Sequence, residues 1–274
     1  MLLDTEKKYA ETYKMKIKNY CLFFLLICNI LFADSFDNLI KQGDVYYNKR
    51  NEITETTKAI ENIEKAIVFY EKALKQNEND VIFYKLTKAI EFKYSFLATD
   101  EKFRQEKWDA LKSLIDRINK YCEKNNCDKS KYIVYSRAIS TGRFGELLNI
   151  MEAVSEGIAG KIKEYAEKLL QIDDSFENHA AYIILGRMHY KAPNVIFLLT
   201  WPDKKKSKEY LEKYLQKEPE SLTGVCFLAD TLYDLGEKEK AKELYEKVLN
   251  AKPRKNFYYE DLNAQKEVKD KMVK

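Results

Sequence analysis

The segments 207–219 (SKEYLEKYLQKEP) and 241–253 (AKELYEKVLNAKP) align with each other at a spacing of 34 residues. Each begins with a small residue, Ser207 or Ala241, and carries large apolar residues four and seven positions further on. In a helix these positions share one face, so the small residue lets a neighbouring helix approach closely. Each segment closes on a proline, which ends the helix. The pattern predicts short helices packed in pairs.

Shorter copies of the same phrase stand earlier in the chain, at 70–74 (YEKAL) and 166–170 (AEKLL). A period of 34 residues with this arrangement of small and large residues resembles the tetratricopeptide repeat, in which antiparallel helix pairs stack side by side. We therefore expect an all-α fold, a tetratricopeptide-type helical-hairpin solenoid that forms a single domain over residues 34–274.

The composition agrees with an all-helical protein. Only eight of the 274 residues are glycine and four are proline, which disfavours a β fold built on frequent turns. With 45% apolar and 34% charged residues, the chain has enough apolar surface to bury and is not expected to be disordered. Helices are predicted over 35–50, 55–76, 80–98, 101–124, 130–141, 159–172, 176–191, 203–217, 221–235 and 238–250, with 258–272 as a further candidate.

The first 33 residues are predicted to be a leader. A basic stretch, 15–20 (MKIKNY), precedes the apolar run 21–33 (CLFFLLICNILFA), which is too short to cross a bilayer core of about 30 Å. This arrangement is typical of a secretory signal peptide, with translation starting at Met15. We expect an exported, periplasmic protein. A lipid on Cys28 is the alternative, and it would tether the protein to the membrane.

Three cysteines follow the leader. Cys122 and Cys127 are separated by four residues in a polar stretch at a predicted helix end, and in an oxidising compartment they are candidates for a disulfide. Two exposed free thiols are the alternative. Cys226 lies in an apolar helix and is expected to be a small core residue.

The repeat spacing breaks once. Between Gly186 and Ser207 the chain has nine residues more than an ordinary repeat, and they fall in the predicted hairpin turn 190–203 (YKAPNVIFLLTWPD). This insertion is apolar and contains two prolines, so a simple helix is not expected. It either folds back over the solenoid's own core or forms an exposed apolar surface that binds a ligand or partner.

Three further stretches resemble the tetratricopeptide "T component" of tripartite ATP-independent periplasmic (TRAP) transporters. They are 42–44 (QGD) followed by 66–74 (AIVFYEKAL), 185–193 (LGRMHYKAP) with its long turn, and the closing repeat to Pro253. The resemblance implies an all-helical periplasmic protein, often a lipoprotein and oligomeric. It also implies an internal pore or cavity and association with the transporter's solute-binding protein.

Aromatic residues are the candidates for a binding site. Tyr46, Tyr47, Tyr190 and Trp201 could line a cavity for an organic molecule, although ordinary packing between helices is the alternative for each of them. The phrase and turn that carry the resemblance add Arg187, His189 and Phe197 as candidate ligand or partner contacts. For His189, which lies on the apolar face beside Gly186, a core or groove position is the alternative.

Catalytic and metal-binding patterns are scarce. The two histidines, His179 and His189, are ten residues apart and do not form a helical metal pair. No Gly-x-Ser-x-Gly motif occurs. The balance of 48 basic against 44 acidic residues predicts no strong attraction to nucleic acid. We therefore expect a protein that is not an enzyme and carries no cofactor or metal.

Two functions fit these observations. The first is an accessory component of a TRAP-type transporter that binds the periplasmic solute-binding protein and a small organic or apolar ligand, with a homo-oligomer as a further expectation from the resemblance. The alternative is a general tetratricopeptide scaffold for protein–protein interactions in cell-envelope assembly.

Overall fold

The computed structural model describes residues 35–51, 54–192 and 201–272. In these ranges the chain is all-α and contains no strand. Its helices are α1 (Phe36–Asn48), α2 (Thr56–Gln76), α3 (Asp80–Phe92), α4 (Arg104–Cys122), α5 (Lys131–Gly145), α6 (Ile150–Ser155), α7 (Ile158–Ile172), α8 (Phe176–Lys191), α9 (Lys204–Lys217), α10 (Leu222–Asp234), α11 (Lys238–Asn250) and α12 (Tyr258–Met272). The predicted leader, Cys28 and Phe197 lie outside the described residues.

The helices pack as a series of hairpins. α1 pairs with α2, α5 with α7, α8 with α9 and α10 with α11. The last three pairs contact one another in order along the chain, and α3 lies between the first pair and α5 and contacts both. Short polar side chains cap several helix starts: Asn79 accepts from the Ile82 N–H at 3.1 Å, and Ser221 from the Gly224 N–H at 3.2 Å. Such caps satisfy backbone donors that a helix start leaves unpaired.

One predicted helix changes its geometry. The segment 80–98 is α-helical only to Phe92 and then widens into a π-helical turn, Lys93–Leu97. The turn buries the Lys93 side chain, whose ammonium lies 2.6 Å from Glu106 and 2.8 Å from Glu64. These carboxylates come from α4 and α2, so the irregular turn joins three helices through one buried cation.

Small residues allow the close helix approach that the repeat pattern predicts. Gly186 on α8 faces Leu211 on α9, where an added Cβ would lie 2.6 Å from the leucine Cγ. Ser207 and Ala241 are fully buried. In the first hairpin Gly43 faces the ring of Tyr70, whose hydroxyl donates to Asp44 Oδ1 at 2.8 Å.

The last helix connects the two ends of the stack. α12 packs on α10 and α11, and it also contacts the turn after α3. Its Tyr259 is buried in an apolar cluster with Ala59 and Ile63 of α2 and Phe92 of α3. The rings of Phe92 and Tyr259 meet edge to face at a centroid distance of 5.9 Å. The first and last repeats therefore share a hydrophobic core.

Cys122 and Cys127 form a disulfide at the end of α4, and Cys226 is a buried free thiol. None of the helices in the described ranges combines the length and apolar character needed to cross a membrane.

We expect Gly43→Ala to lower the free energy of unfolding by about 1–3 kcal/mol, because the new methyl group would lie 2.4 Å from buried Tyr70. Gly160→Ala is the matched control. Gly160 lies in α7 with open space around it, so alanine should leave stability unchanged or raise it by up to about 1 kcal/mol. Urea unfolding of both variants measures the difference, and equal effects would contradict the close approach.

Replacing Cys122 and Cys127 together by serine should lower stability by about 2 kcal/mol, because the disulfide restricts the unfolded chain only over a short loop. Thermal unfolding with and without a reductant tests this. The reductant should destabilise the wild-type protein and leave the double variant unaffected. Buried Cys226 is present in both proteins and serves as the internal control.

Candidate functional site

A polar face runs along α3 toward the interior of the stack. Tyr84, Lys88 and Glu91 lie at helical spacing on one side of α3. The opposite side of the helix, with Phe83 and Leu86, is buried in the apolar core. We call the surface formed by Tyr84, Lys88, Glu91 and the residues that pair with them the inner face.

One end of the inner face is centred on Glu177. Its carboxylate accepts from Lys88 Nζ at 2.7 Å and from the hydroxyl of Tyr84. Burial, together with the hydrogen bond to Glu177, raises the pKa of Tyr84 far above its usual value, so this hydroxyl stays protonated. The Tyr84 ring also packs against those of Tyr132, Tyr135 and Phe176.

The backbone at this end is strained. Glu177, Asn178 and His179 adopt left-handed conformations with φ of 50°, 52° and 59°, a region that non-glycine residues enter at a cost. The segment 176–191 therefore holds its regular right-handed helix only from Ala180 onward. The contacts of Glu177 with α3, and of His179 Nδ1 with the Asp174 carbonyl at 2.9 Å, stabilise this turn.

At the other end of the inner face, Glu91 accepts from Arg143 of α5 at 2.9 Å. Arg50, just after α1, stacks on the Tyr47 ring at 4.0 Å. α12 contributes Glu260 to the same region. Arg50 Nε and Glu260 Oε2 are both buried and have no hydrogen-bond partner among the described residues.

Burial raises the pKa of the Glu260 carboxyl to about 7. The positive charge of Arg50 opposes this shift, whereas the carboxylates of Glu91 and Asp261 add to it. Glu260 thus takes up a proton near neutral pH, on the helix that joins the two ends of the stack.

The two neighbouring candidate tyrosines, Tyr46 and Tyr47, contact different parts of the structure. Tyr47 belongs to the inner face, beside Arg50, and its ring also meets that of Phe92 at 6.5 Å. Tyr46 instead stacks on Phe69 of α2 at a centroid distance of 5.7 Å. The structure places Tyr47 near the other inner-face residues and directs Tyr46 to the packing between α1 and α2.

Arg187 is held by contacts within the repeats. Its guanidinium donates to Asp230 at 3.0 Å and lies 3.9 Å above the ring of Phe227. Asp230 is 3% exposed and also accepts from Tyr245 at 2.8 Å and Lys271 at 2.6 Å. These contacts join α8, α10, α11 and α12, so Arg187 stabilises the stack.

His189 and Trp201 lie together beside α9. His189 is 3% exposed, and its ring meets Trp201 edge to face at 5.1 Å and stacks on Tyr210 at 5.8 Å. Its Nδ1 lies 3.3 Å from the backbone N–H of Asp203, which donates to it. Burial, with the charge of Lys206, lowers the pKa of His189, so the ring is neutral at neutral pH. Trp201 thus packs onto the repeat.

Tyr190 lies at the start of the insertion, with the guanidinium of Arg187 5.2 Å from its ring centre. Burial, with the carboxylates of Asp230 and Asp234, raises its pKa to about 12. Tyr190, His189 and Trp201 therefore anchor the two flanks of the insertion to the repeats, whereas Phe197 lies outside the described residues.

The charged residues of the inner face were not among the candidates from the sequence. Arg50, Lys88, Glu91, Glu177 and Glu260 are scattered along the chain and share no motif. The one feature of the sequence that could have indicated the inner face was the four-residue spacing of Tyr84 and Lys88, which places both on one side of a helix. In the part of the chain that the structure describes, no group of three or more His, Cys, Asp or Glu side chains could hold a metal ion.

Glu260→Gln should remove a pH dependence of stability. Because the folded pKa of about 7 exceeds that of an unfolded glutamate, the wild-type protein loses stability as pH rises through about 7. We expect the variant to gain at least about 1 kcal/mol relative to wild type between pH 5 and pH 8. Urea unfolding at several pH values measures this. Glu243→Gln, at an exposed position, is the control, and parallel curves for wild type and Glu260→Gln would contradict the assignment.

Comparisons with known proteins agree with the helical architecture. The tetratricopeptide-repeat profile matches residues 224–255, which cover most of α10 and all of α11. No curated protein matches the sequence. A thermophilic TPR protein from Thermus thermophilus superimposes with a TM-score of 0.55 and 14% identity, over 88% of this chain and 100% of that one. Likeness at this identity concerns the fold alone, and it confirms the prediction of an all-α fold of the tetratricopeptide-repeat type.

Proposed function

We propose that this protein is an exported, non-enzymatic binding protein that serves as an accessory component of a TRAP-type transporter and holds its periplasmic solute-binding protein. Repeats of this type generally mediate the binding of protein partners. The TRAP assignment rests on the resemblance of 185–193 and its long turn. Export rests on the leader pattern in residues 15–33.

The anchored insertion is the observation that carries this proposal. Both of its flanks are fixed to the repeats, by Tyr190 beside Arg187 and by Trp201 against buried His189. Between these flanks the sequence reads Val195-Ile-Phe-Leu-Leu199, a run with no charged residue. An uncharged apolar sequence of this kind, between two flanks that contact the repeats, is typical of a surface that binds a partner.

The inner face is less suited to a long peptide. α12 joins the last repeat to the first, so the concave side is not an open groove along its whole length. Its charges are also largely paired with one another, as in Lys88–Glu177 and Arg143–Glu91. The insertion is therefore better suited than the inner face to bind a folded protein partner.

We expect Phe197→Ala to reduce recovery of the partner about fivefold or more, because a large aromatic anchor in an interface contributes over about 1 kcal/mol. The measurement is a crosslinked pull-down of the tagged full-length protein from its own cell envelope, read by mass spectrometry. Val68→Ala, at a half-exposed apolar position on α2, is the matched control.

Recovery of a periplasmic solute receptor that depends on Phe197 would support the proposal. Recovery of envelope-assembly proteins alone would contradict the TRAP role and favour a general interaction scaffold. Equal recovery with Phe197→Ala and Val68→Ala would contradict the insertion as the contact surface.

A further inference from the structure

The first hairpin carries aromatic rings and lysines on its outer side. In the ranges that the structure describes, no helix precedes α1, so α1 and α2 form the first layer of the stack. Lys65, Phe69 and Lys72 are spaced four and three residues apart on α2 and share one side of that helix. Tyr46 of α1 lies against Phe69, and Lys49 follows one turn later.

The two rings and three ammonium groups form one cluster. Tyr46 and Phe69 stack with their centroids 5.7 Å apart and their planes within 9° of parallel. The ammonium groups of Lys49 and Lys65 each lie 5.4 Å from the centre of the Tyr46 ring, and that of Lys72 lies 5.5 Å from the centre of the Phe69 ring. We call these five residues the cationic face.

The lysines of the cationic face are not neutralised by carboxylates. All three are exposed, and none of them forms an ion pair with another residue in the described part of the chain. A cation over an aromatic ring keeps its full charge, because the ring attracts it only through its quadrupole. The face therefore presents three positive charges on a half-buried aromatic base.

Most of the acidic residues of this hairpin pair with residues on its other sides. Asp44, Glu64 and Glu71 form ion pairs at 2.6–2.8 Å with basic residues of α3, of the π-helical turn and of α4. The other two carboxylates of α1 and α2 are Asp37, at the start of α1, and Glu61, one turn before Lys65. The cationic face thus keeps a net positive charge and is complementary to an anionic surface.

The position of this hairpin in the chain indicates which anionic surface it meets. α1 begins at Phe36, directly after the leader that is expected to enter the membrane. If Cys28 carries a lipid, the eight residues from Cys28 to Phe36 span at most about 30 Å even when fully extended. The first hairpin is therefore the part of the described fold that is tied nearest to a bilayer.

We propose that the cationic face binds the surface of a membrane that contains anionic phospholipids. The ammonium groups of Lys49, Lys65 and Lys72 lie among the lipid phosphates, and the ring pair lies at the level of the headgroups, where aromatic side chains are favoured. This inference rests on the proposed export of the protein. It involves neither the insertion nor a protein partner, so it and the transporter role can fail separately.

The test measures binding of the chain without its leader to lipid vesicles. Residues 34–274 contain all the described helices. We expect this protein to sediment with vesicles of equal parts phosphatidylglycerol and phosphatidylcholine, with half of it bound at millimolar lipid or less in a buffer of low salt. Binding to pure phosphatidylcholine should be at least tenfold weaker. Salt at about 1 M, where the Debye length is about 3 Å, should release the protein.

The combined variant Lys49→Gln, Lys65→Gln, Lys72→Gln should raise the lipid concentration for half-binding at least tenfold, because each basic side chain near an anionic leaflet contributes about fivefold. The control combines Lys205→Gln, Lys213→Gln and Lys242→Gln. These lysines of α9 and α11 are also exposed and outside any ion pair of the described residues, so the control loses the same charge. It should bind as the wild type does, and circular dichroism confirms that both variants are folded.

Three results would overturn the proposal: no binding to the anionic vesicles, equal binding to both kinds of vesicle, or equal weakening in the two triple variants. Sedimentation equilibrium tests a second copy of the chain as the occupant. A dimer that the first triple variant abolishes, together with no vesicle binding, would assign the face to that copy instead. None of these results would alter the pull-down, and loss of the solute receptor from the pull-down would leave vesicle binding unchanged.

Discussion

The buried carboxylate of Asp230 is the interaction on which the rest of the structure depends. It is 3% exposed and accepts from Arg187, Tyr245 and Lys271, which come from three other helices. A charge in such a place must be paired, and removing one partner of a buried pair is strongly destabilising. The four helices α8, α10, α11 and α12 are therefore held in one arrangement, which sets the direction in which α12 leaves the last repeat.

That direction has consequences at the other end of the molecule. α12 carries Tyr259 into the apolar cluster of α2 and α3, and it places Glu260 beside Arg50. The same approach leaves a cavity of about 410 Å³ between α10, α12 and the turn after α3. α12 thus covers part of the groove that the first and last repeats would otherwise leave open between them. The strained turn at Glu177 lies at the inner face, where its carboxylate pairs with Lys88 and Tyr84.

Particular residues show which contacts could be predicted from the sequence and which could not. The small residues that begin the two aligned segments predicted a close helix approach at Ser207 and Ala241, and both residues are fully buried. The π-helical turn after Phe92 was not predicted, since its buried cation, Lys93, looks like any exposed lysine in the sequence. Tyr46 and Tyr47 likewise looked equivalent, although only Tyr47 faces Arg50.

The helices, their pairing and the all-α class could be read from the amino-acid order, because a period of 34 residues and helical spacing are local properties of the chain. The candidate site could not. Its charges meet only after α12 returns to the first repeat, and the contact of Tyr259 with Phe92 joins residues far apart in sequence. Long-range packing and the pairing of buried charges decide such contacts, and a single sequence carries no periodic signal for either.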